Sequence, residues 1–230
     1  SETVFAVPVE PGRVAVRYFS PVGEIAFCGH ATIALASQLF GSAAQETEIG
    51  VDTRAGRIAL RHDAGKFWFA TVAARIADAP AEWLDDVLAV FGWSRAQLDP
   101  VYPPMLAFAG NWHLVVALAD AKDLQGMRYD MDRLIPLAAA QQLATLQLVH
   151  RVSDGVFLSR NPFPAGHIYE DPATGAAAAA FAGYLQLRGA YPASGQFELR
   201  QGDAMGVPWR LGVQADAQET LWVGGTARLL

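Results

Sequence analysis

A single cysteine, Cys28, stands among 230 residues, which excludes an intrachain disulfide and any zinc site built on several thiolates. No apolar run reaches the ~18 residues that a membrane-spanning helix needs. No secretory leader opens the sequence either, so a cytoplasmic setting is the expectation. Charged residues make up only 17% of the chain and hydrophobic ones 52%, the balance of a protein with a large buried core. A formal net charge of −6 argues against nucleic acid or a membrane surface as a general partner. His62, His113, His150 and His167 show no metal-ligand spacing. Patterns of the His-Glu-x-x-His, Walker A, Gly-x-Ser-x-Gly and Rossmann types are absent as well. Neither a metal nor a cofactor is expected from these residues.

What is abundant is alanine, concentrated in one place. The stretch Glu170-Asp171-Pro172-Ala173-Thr174-Gly175 runs directly into five alanines, Ala176 to Ala180, and continues through Phe181 and Leu185. Alanine is the best helix former, so a helix is expected from Thr174 or Gly175 to near Gly189. It has no charged face, and a helix apolar all round is buried all round. Its N-terminus offers backbone N–H groups without intrahelical partners, an anion-binding end.

Strands are expected over Thr3 to Val9, Arg13 to Phe19, Glu46 to Thr53, Arg57 to His62 and Lys66 to Val72. A second small-residue helix reads from Gly29 to Phe40, stopped by Gly41. An amphipathic helix follows at Ala81 to Phe91, and Pro100, Pro103 and Pro104 mark the best linker. Beyond it come a strand at Trp112 to Leu118, a helix over Met131 to Leu143, and strands at Leu146 to Val152 and Val156 to Arg160. Strands near Phe197 to Gln201, Pro208 to Val213 and Leu221 to Gly224 end the chain. Many hairpin-joined strands with two apolar helices among them make an α+β pattern, not an alternating one.

The two apolar helices echo each other. With Gly29 set on Gly175, Glu24 and Glu170 each stand five residues upstream. Ala34, Ala36 and Leu39 then fall on Ala180, Ala182 and Leu185. Arg17 to Pro21 and Arg160 to Pro164 supply an arginine and an aromatic-proline element before each helix. This predicts a duplicated unit, a sheet wrapped round a central helix, in a half of residues 1–105 and a half of 106–230, the last strand crossing back. Both helix N-termini would open into a cleft between the halves and suit a substrate bearing one or two carboxylates.

Ser1-Glu2-Thr3-Val4-Phe5, the stretch from Glu24 to Cys28-Gly29-His30-Ala31-Thr32, Glu170 to Gly175, and Gln201-Gly202 with Met205-Gly206 resemble motifs of the phenazine-biosynthesis PhzF-like proteins, end to end and in order. The resemblance implies the diaminopimelate-epimerase-like fold, two pseudo-symmetric domains each with a curved, mostly antiparallel sheet around a central helix. It implies cofactor-independent isomerisation, in which a carboxylate takes a proton from one carbon and returns it at another. The family's catalytic acid/base falls on Glu2, its Gly-His on Gly29 and His30, and its second-motif aspartate on Asp171. Such a base works best in a partly dry pocket that brings its pKa near the working pH. Thr174, Gly175 and Ala176, with Gly29, are the expected carboxylate-binding group. A homodimer is a candidate assembly. The resemblance also implies a preceding strand-and-helix unit of about 40 residues with a Gly-Asn-Pro element, which this sequence does not carry. The serine that often follows Thr-Gly is Ala176 here.

Cys28, placed before a helix where a thiolate is favoured, is a candidate reactive thiol, with a small buried residue as the alternative. A two-thiol racemase is excluded by count, because the position equivalent to Cys28 in the second unit is Thr174. Asp171 reads either as a helix cap or as a substrate or proton-relay group. Glu24 and Glu170 read as structural. Three functions remain: Glu2-based isomerase, single-thiol enzyme, or non-catalytic binder of an acidic ligand or protein.

Overall fold

Two nearly uncharged helices organise the computed structural model, which describes residues 2–20, 23–42 and 47–227. The hairpin β1 (Thr3–Glu10) and β2 (Arg13–Ser20) and the short β3 (Gly23–Ile25) precede α1 (Gly29–Ser42). The chain then returns as β4 (Glu48–Thr53) parallel to β2, with Val14 opposite Val51. The antiparallel strands β5 (Gly56–Asp63) and β6 (Lys66–Ala70) follow.

The same pattern recurs later in the chain. The hairpin β10 (Leu143–Ser153) and β11 (Val156–Arg160) precedes α5 (Gly175–Leu187). The chain returns as β12 (Gln196–Gln201) parallel to β11, followed by antiparallel β13 (Trp209–Ala215) and β14 (Leu221–Gly225). Each helix is thus the crossover of a parallel pair. The closing strands of the two units, β6 and β14, pair antiparallel with Phe69 opposite Val223, which joins everything into one fourteen-stranded sheet. The α+β reading holds: besides β2–β4 and β11–β12, only one pairing among the described residues is parallel.

Between the units lie β7 (Arg75–Asp78), α2 (Ala81–Val90), β8 (Met105–Phe108), β9 (Trp112–Ala117), α3 (Ala121–Gln125) and α4 (Met131–Ala140). β7 to β9 extend the sheet beyond β10. There the sheet is covered on both faces: Val115 and Ala117 pack with the α5 alanines, while Leu114 and Val116 pack with Leu88 of α2 and Leu134 of α4. Strands buried on both faces read as continuous apolar runs without alternation. We propose that the halves divide at 71–74, where the chain leaves β6, instead of at 105, since β7 and α2 join the second unit's sheet and core.

α5 is buried along its whole first three turns, Gly175 to Leu185. Phe181 and Leu185 are fully buried, each worth about 1.5–3 kcal/mol against exposure. Arg188 caps it and Gly189 follows at φ +65°, the left-handed turn that favours glycine after a helix. α1 runs through Gly41, its expected stop, to Ser42; a Cβ on Gly41 would meet nothing, so no packing marks that glycine. β4 begins at Glu48; Glu46, where it was expected to start, lies outside the described residues, as do Pro21 and Ser1 of the quoted motifs. The Met131 helix ends at Ala140, and Leu143 opens β10 instead of closing the helix. Among the described residues no helix is long and apolar enough to cross a membrane.

Candidate active site

The parallel crossovers bring the N-termini of α1 and α5 together. Cys28 is the residue before α1, its carbonyl accepting the Thr32 N–H at 3.0 Å. Thr32 is itself tied down, its hydroxyl donating to the Cys28 carbonyl and meeting the Tyr18 hydroxyl, each at 2.7 Å. Thr174 plays the corresponding part for α5, accepting the Ala178 N–H at 3.0 Å. Its side chain does not cap the helix. The Thr174 hydroxyl donates instead to Asp171 Oδ2 at 2.7 Å and accepts from Gln201 Nε2 at 3.0 Å, and Gln201 Nε2 also reaches the Asp171 carbonyl at 2.6 Å. With the threonine turned away, the first N–H groups of α5 remain open to a guest.

A cleft of about 1040 Å³ opens over these helix ends. Its walls are largely apolar, with Ile25, Phe27, Phe69, Phe163 and Trp209 among them, and its polar side chains include Glu2, His30, Asn111 and Asp171. A smaller cavity of about 50 Å³ shares part of this lining, and every candidate residue singled out above lines it: Glu2, Cys28, Gly29, His30, Asp171, Thr174, Gly175 and Ala176. Convergent polar groups in an apolar cleft between structural units are the usual form of a small-molecule site.

At its centre His30 Nε2 lies 2.7 Å from Glu2 Oε2, with the Glu2 side chain only 10% exposed and that of His30 45%. Cys28 Sγ lies 3.6 Å from both ring nitrogens of His30. The Cys28 contact first, then the electrostatic pull of Cys28, Glu2 and Asp171, lifts the His30 pKa to about 9 against the opposing effect of burial. The raised pKa favours the imidazolium, and His30 Nε2 donates to the Glu2 carboxylate. Glu2, Cys28 and His30 are also the one group among the described residues whose donor atoms, all within 4.8 Å of one another, could share a metal ion.

The paired glutamates are each held by an arginine. Arg17 holds Glu24 through two hydrogen bonds of 2.9 and 2.8 Å, and Arg54 adds a third contact at 3.0 Å. Arg160 grips buried Glu170 in the same two-pronged way, Nε to Oε1 at 2.9 Å and Nη2 to Oε2. Three further residues line or support the site without a role expected from sequence. Asn111 donates to the Phe27 carbonyl at 3.3 Å and lines both cavities; His113 lines the smaller one; Gln201 anchors Thr174. Only Gln201 carried a signal, as part of a quoted motif.

The chain belongs to the PhzC-PhzF family of phenazine biosynthesis-like proteins, whose model matches residues 1–229. An uncharacterised isomerase of Deinococcus radiodurans is 32% identical over 98% of this chain and 78% of its own length. The trans-2,3-dihydro-3-hydroxyanthranilate isomerase of Pseudomonas aeruginosa is 28% identical over 94% of this chain and 76% of its own. Among solved structures, a predicted epimerase from P. aeruginosa superposes with a TM-score of 0.83 at 26% identity, covering 100% of this chain and 82% of that one. A hydroxyproline epimerase from Agrobacterium vitis shares the fold, with a TM-score of 0.63 at 16% identity over 98% of this chain and 71% of that one.

Proposed function

We propose that this protein is a cofactor-independent isomerase that moves a proton on a small carboxylate metabolite, with Glu2 as the acid/base. The observation that carries the reading is the Glu2–His30 contact of 2.7 Å beside the two helix ends. The helix ends, through the N–H groups at Gly29-His30 and Thr174-Gly175-Ala176, receive the carboxylate. The Glu2 carboxylate removes a proton from a carbon of the bound metabolite and returns it at another carbon. Negative charge left on the substrate between the two steps faces the positive helix ends and the His30 imidazolium, which are already oriented when it develops. Asp171, held by Thr174 at 2.7 Å, is the second carboxylate at the site and serves as a proton relay or substrate contact. Relatives named as isomerases, one of them a trans-2,3-dihydro-3-hydroxyanthranilate isomerase, support the reaction class.

The test is a solvent-deuterium exchange screen of carboxylated metabolites with the wild-type protein and Glu2→Gln side by side. Incorporation of deuterium at a substrate carbon by the wild type, lost in Glu2→Gln, is expected. Undiminished exchange in Glu2→Gln removes Glu2 from the role. A second reading, a single-thiol enzyme, draws on the 3.6 Å contact between Cys28 Sγ and His30. It requires that Cys28→Ser abolish exchange while Glu2→Gln spares it.

A further inference from the structure

The small cavity between the helix ends has a floor that the proton-transfer mechanism does not use. His113 lies on β9, on the face that also presents Val115 and Ala117 to the α5 core. It is 1% exposed. Its Nδ1 lies 2.8 Å from the Thr145 hydroxyl of the neighbouring strand, while its Nε2 has no partner. Burial pushes its pKa down to about 3, so the ring is neutral. His113 and Thr145 both line the cavity of about 50 Å³, opposite Gly29, Thr174, Gly175 and Ala176.

An unpartnered polar atom this deeply buried is rare in folded proteins and asks for an occupant. A neutral imidazole has one donating and one accepting nitrogen. The Thr145 hydroxyl can donate to Nδ1 or accept from it; when it donates, the ring hydrogen falls on Nε2. The end of α5 brings a methyl group at Ala176 and therefore only backbone donors of its own.

We propose that His113 Nε2–H is a side-chain donor to a carboxylate oxygen seated between the N-termini of α1 and α5, with the Thr145 hydroxyl donating to Nδ1. This rests on the carboxylate-binding reading of the site given above. Two helix ends and a neutral imidazole donor all present hydrogens, so the guest group is an acceptor, and the lone positive ends select an anionic one. The cavity has room for a carboxylate and too little for a ring, which leaves the rest of the substrate in the apolar cleft above it. Because His113 stays neutral, its part in binding does not change through the pH range in which His30 titrates.

The experiment uses protein labelled with nitrogen-15 in histidine and glycine, benzoate as the probe and benzyl alcohol as the uncharged control. The free protein should show His113 protonated at Nε2, and benzoate but not benzyl alcohol should shift that resonance. Benzoate should bind about tenfold to a hundredfold more weakly to His113→Phe, the range for a hydrogen bond to a charged group. Thr145→Val, which keeps the ring and the packing shape, should release the tautomer and weaken benzoate in the same direction. If the amides of Gly29 and Gly175 respond to benzoate while His113 does not, the anion site stands and His113 is a core histidine only. If neither responds, the carboxylate-binding reading falls and takes this one with it. A Glu2→Gln result against proton transfer leaves the His113 assignment untouched.

Discussion

Gly29 and Gly175, the first residues of α1 and α5, meet backbone to backbone: a Cβ on Gly29 would lie 2.8 Å from Gly175 Cα, and one on Gly175 would lie 3.2 Å from Gly29 Cα. The obstacle is main chain in both directions, so no side chain can rotate out of the way. Gly29→Ala must therefore push the two helix ends apart, and with them the donors that converge on the small cavity. Overpacking of this kind costs about 1–3 kcal/mol, to be read from the denaturant midpoint at unchanged slope. Carboxylate binding should fall further than stability does, because it depends on the spacing of the ends. Gly175→Ala, with its looser contact, should be the milder of the two; the reverse order would mean that the ends do not touch as described.

His30 makes the stability of the protein depend on pH in a definite direction. Its pKa is raised in the folded protein to about 9, above the ~6.5 of a free imidazole. A group whose pKa rises on folding contributes stability that is fully present below its unfolded value and is lost as the pH climbs through the folded one. Melting temperature should therefore decline between about pH 6.5 and 9, and His30→Gln should remove that part of the slope. The side chain is nearly half exposed, so solvent screening makes the effect modest. A wild type and variant with parallel profiles across this window would dissolve the proposed imidazolium.

Cys28 separates the two enzymatic readings and acts on His30 in either. It is buried, and its sulfur supplies the largest of the influences that raise His30. Cys28→Ser should lower the His30 titration midpoint from about 9, followed through the imidazole proton resonances. If Glu2 carries the proton, the same variant should keep substrate deuterium exchange within roughly tenfold of wild type, well short of the ~10²–10⁴ that a positioned acid/base contributes. Complete loss of exchange in Cys28→Ser would transfer the chemistry to the thiol.

The parts of this site that were legible in the sequence are those written in local grammar. Gly29 and Gly175 punctuate runs of small residues, and the offset of Glu24 and Glu170 from them announced the duplication that the parallel crossovers display. His113 was illegible, because a histidine within an apolar strand looks the same whether its free nitrogen faces a site or a packed core. Its meaning depends on Thr145, 32 positions away, through a parallel strand pairing with no local signal. The boundary proposed at 71–74 was illegible for a related reason. The prolines at 100, 103 and 104 look like a linker, but Arg75–Asp78 had already crossed to pair with Met105–Phe108. Both are four-residue strands, too short for alternation to show, and Met105, Leu106 and Ala107 are all buried.

The duplicated ion pairs share a geometry and differ in their surroundings, so they should respond differently to the same change. Arg160 and Glu170 have side chains 9% and 4% exposed, whereas Arg17 is 64% exposed beside Glu24. Glu170→Gln strands a buried guanidinium whose other partners are the carbonyls of Leu124 and Gln125. Breaking a buried pair by removing one partner destabilises by about 3–5 kcal/mol. Glu24→Gln leaves Arg17 in water, so at neutral pH it should cost far less than Glu170→Gln does. Acid reveals the second pair instead: Arg17, followed by Arg54, holds the Glu24 carboxyl down at about 2. A pKa depressed on folding contributes stability above the unfolded value and loses it as the pH falls through the folded one. The wild type should therefore lose stability to acid between about pH 4.5 and 2 more steeply than Glu24→Gln does. Urea denaturation of both variants at pH 7 and pH 3 checks the contrast, and an equal loss in the two at pH 7 would mean that burial does not distinguish the pairs.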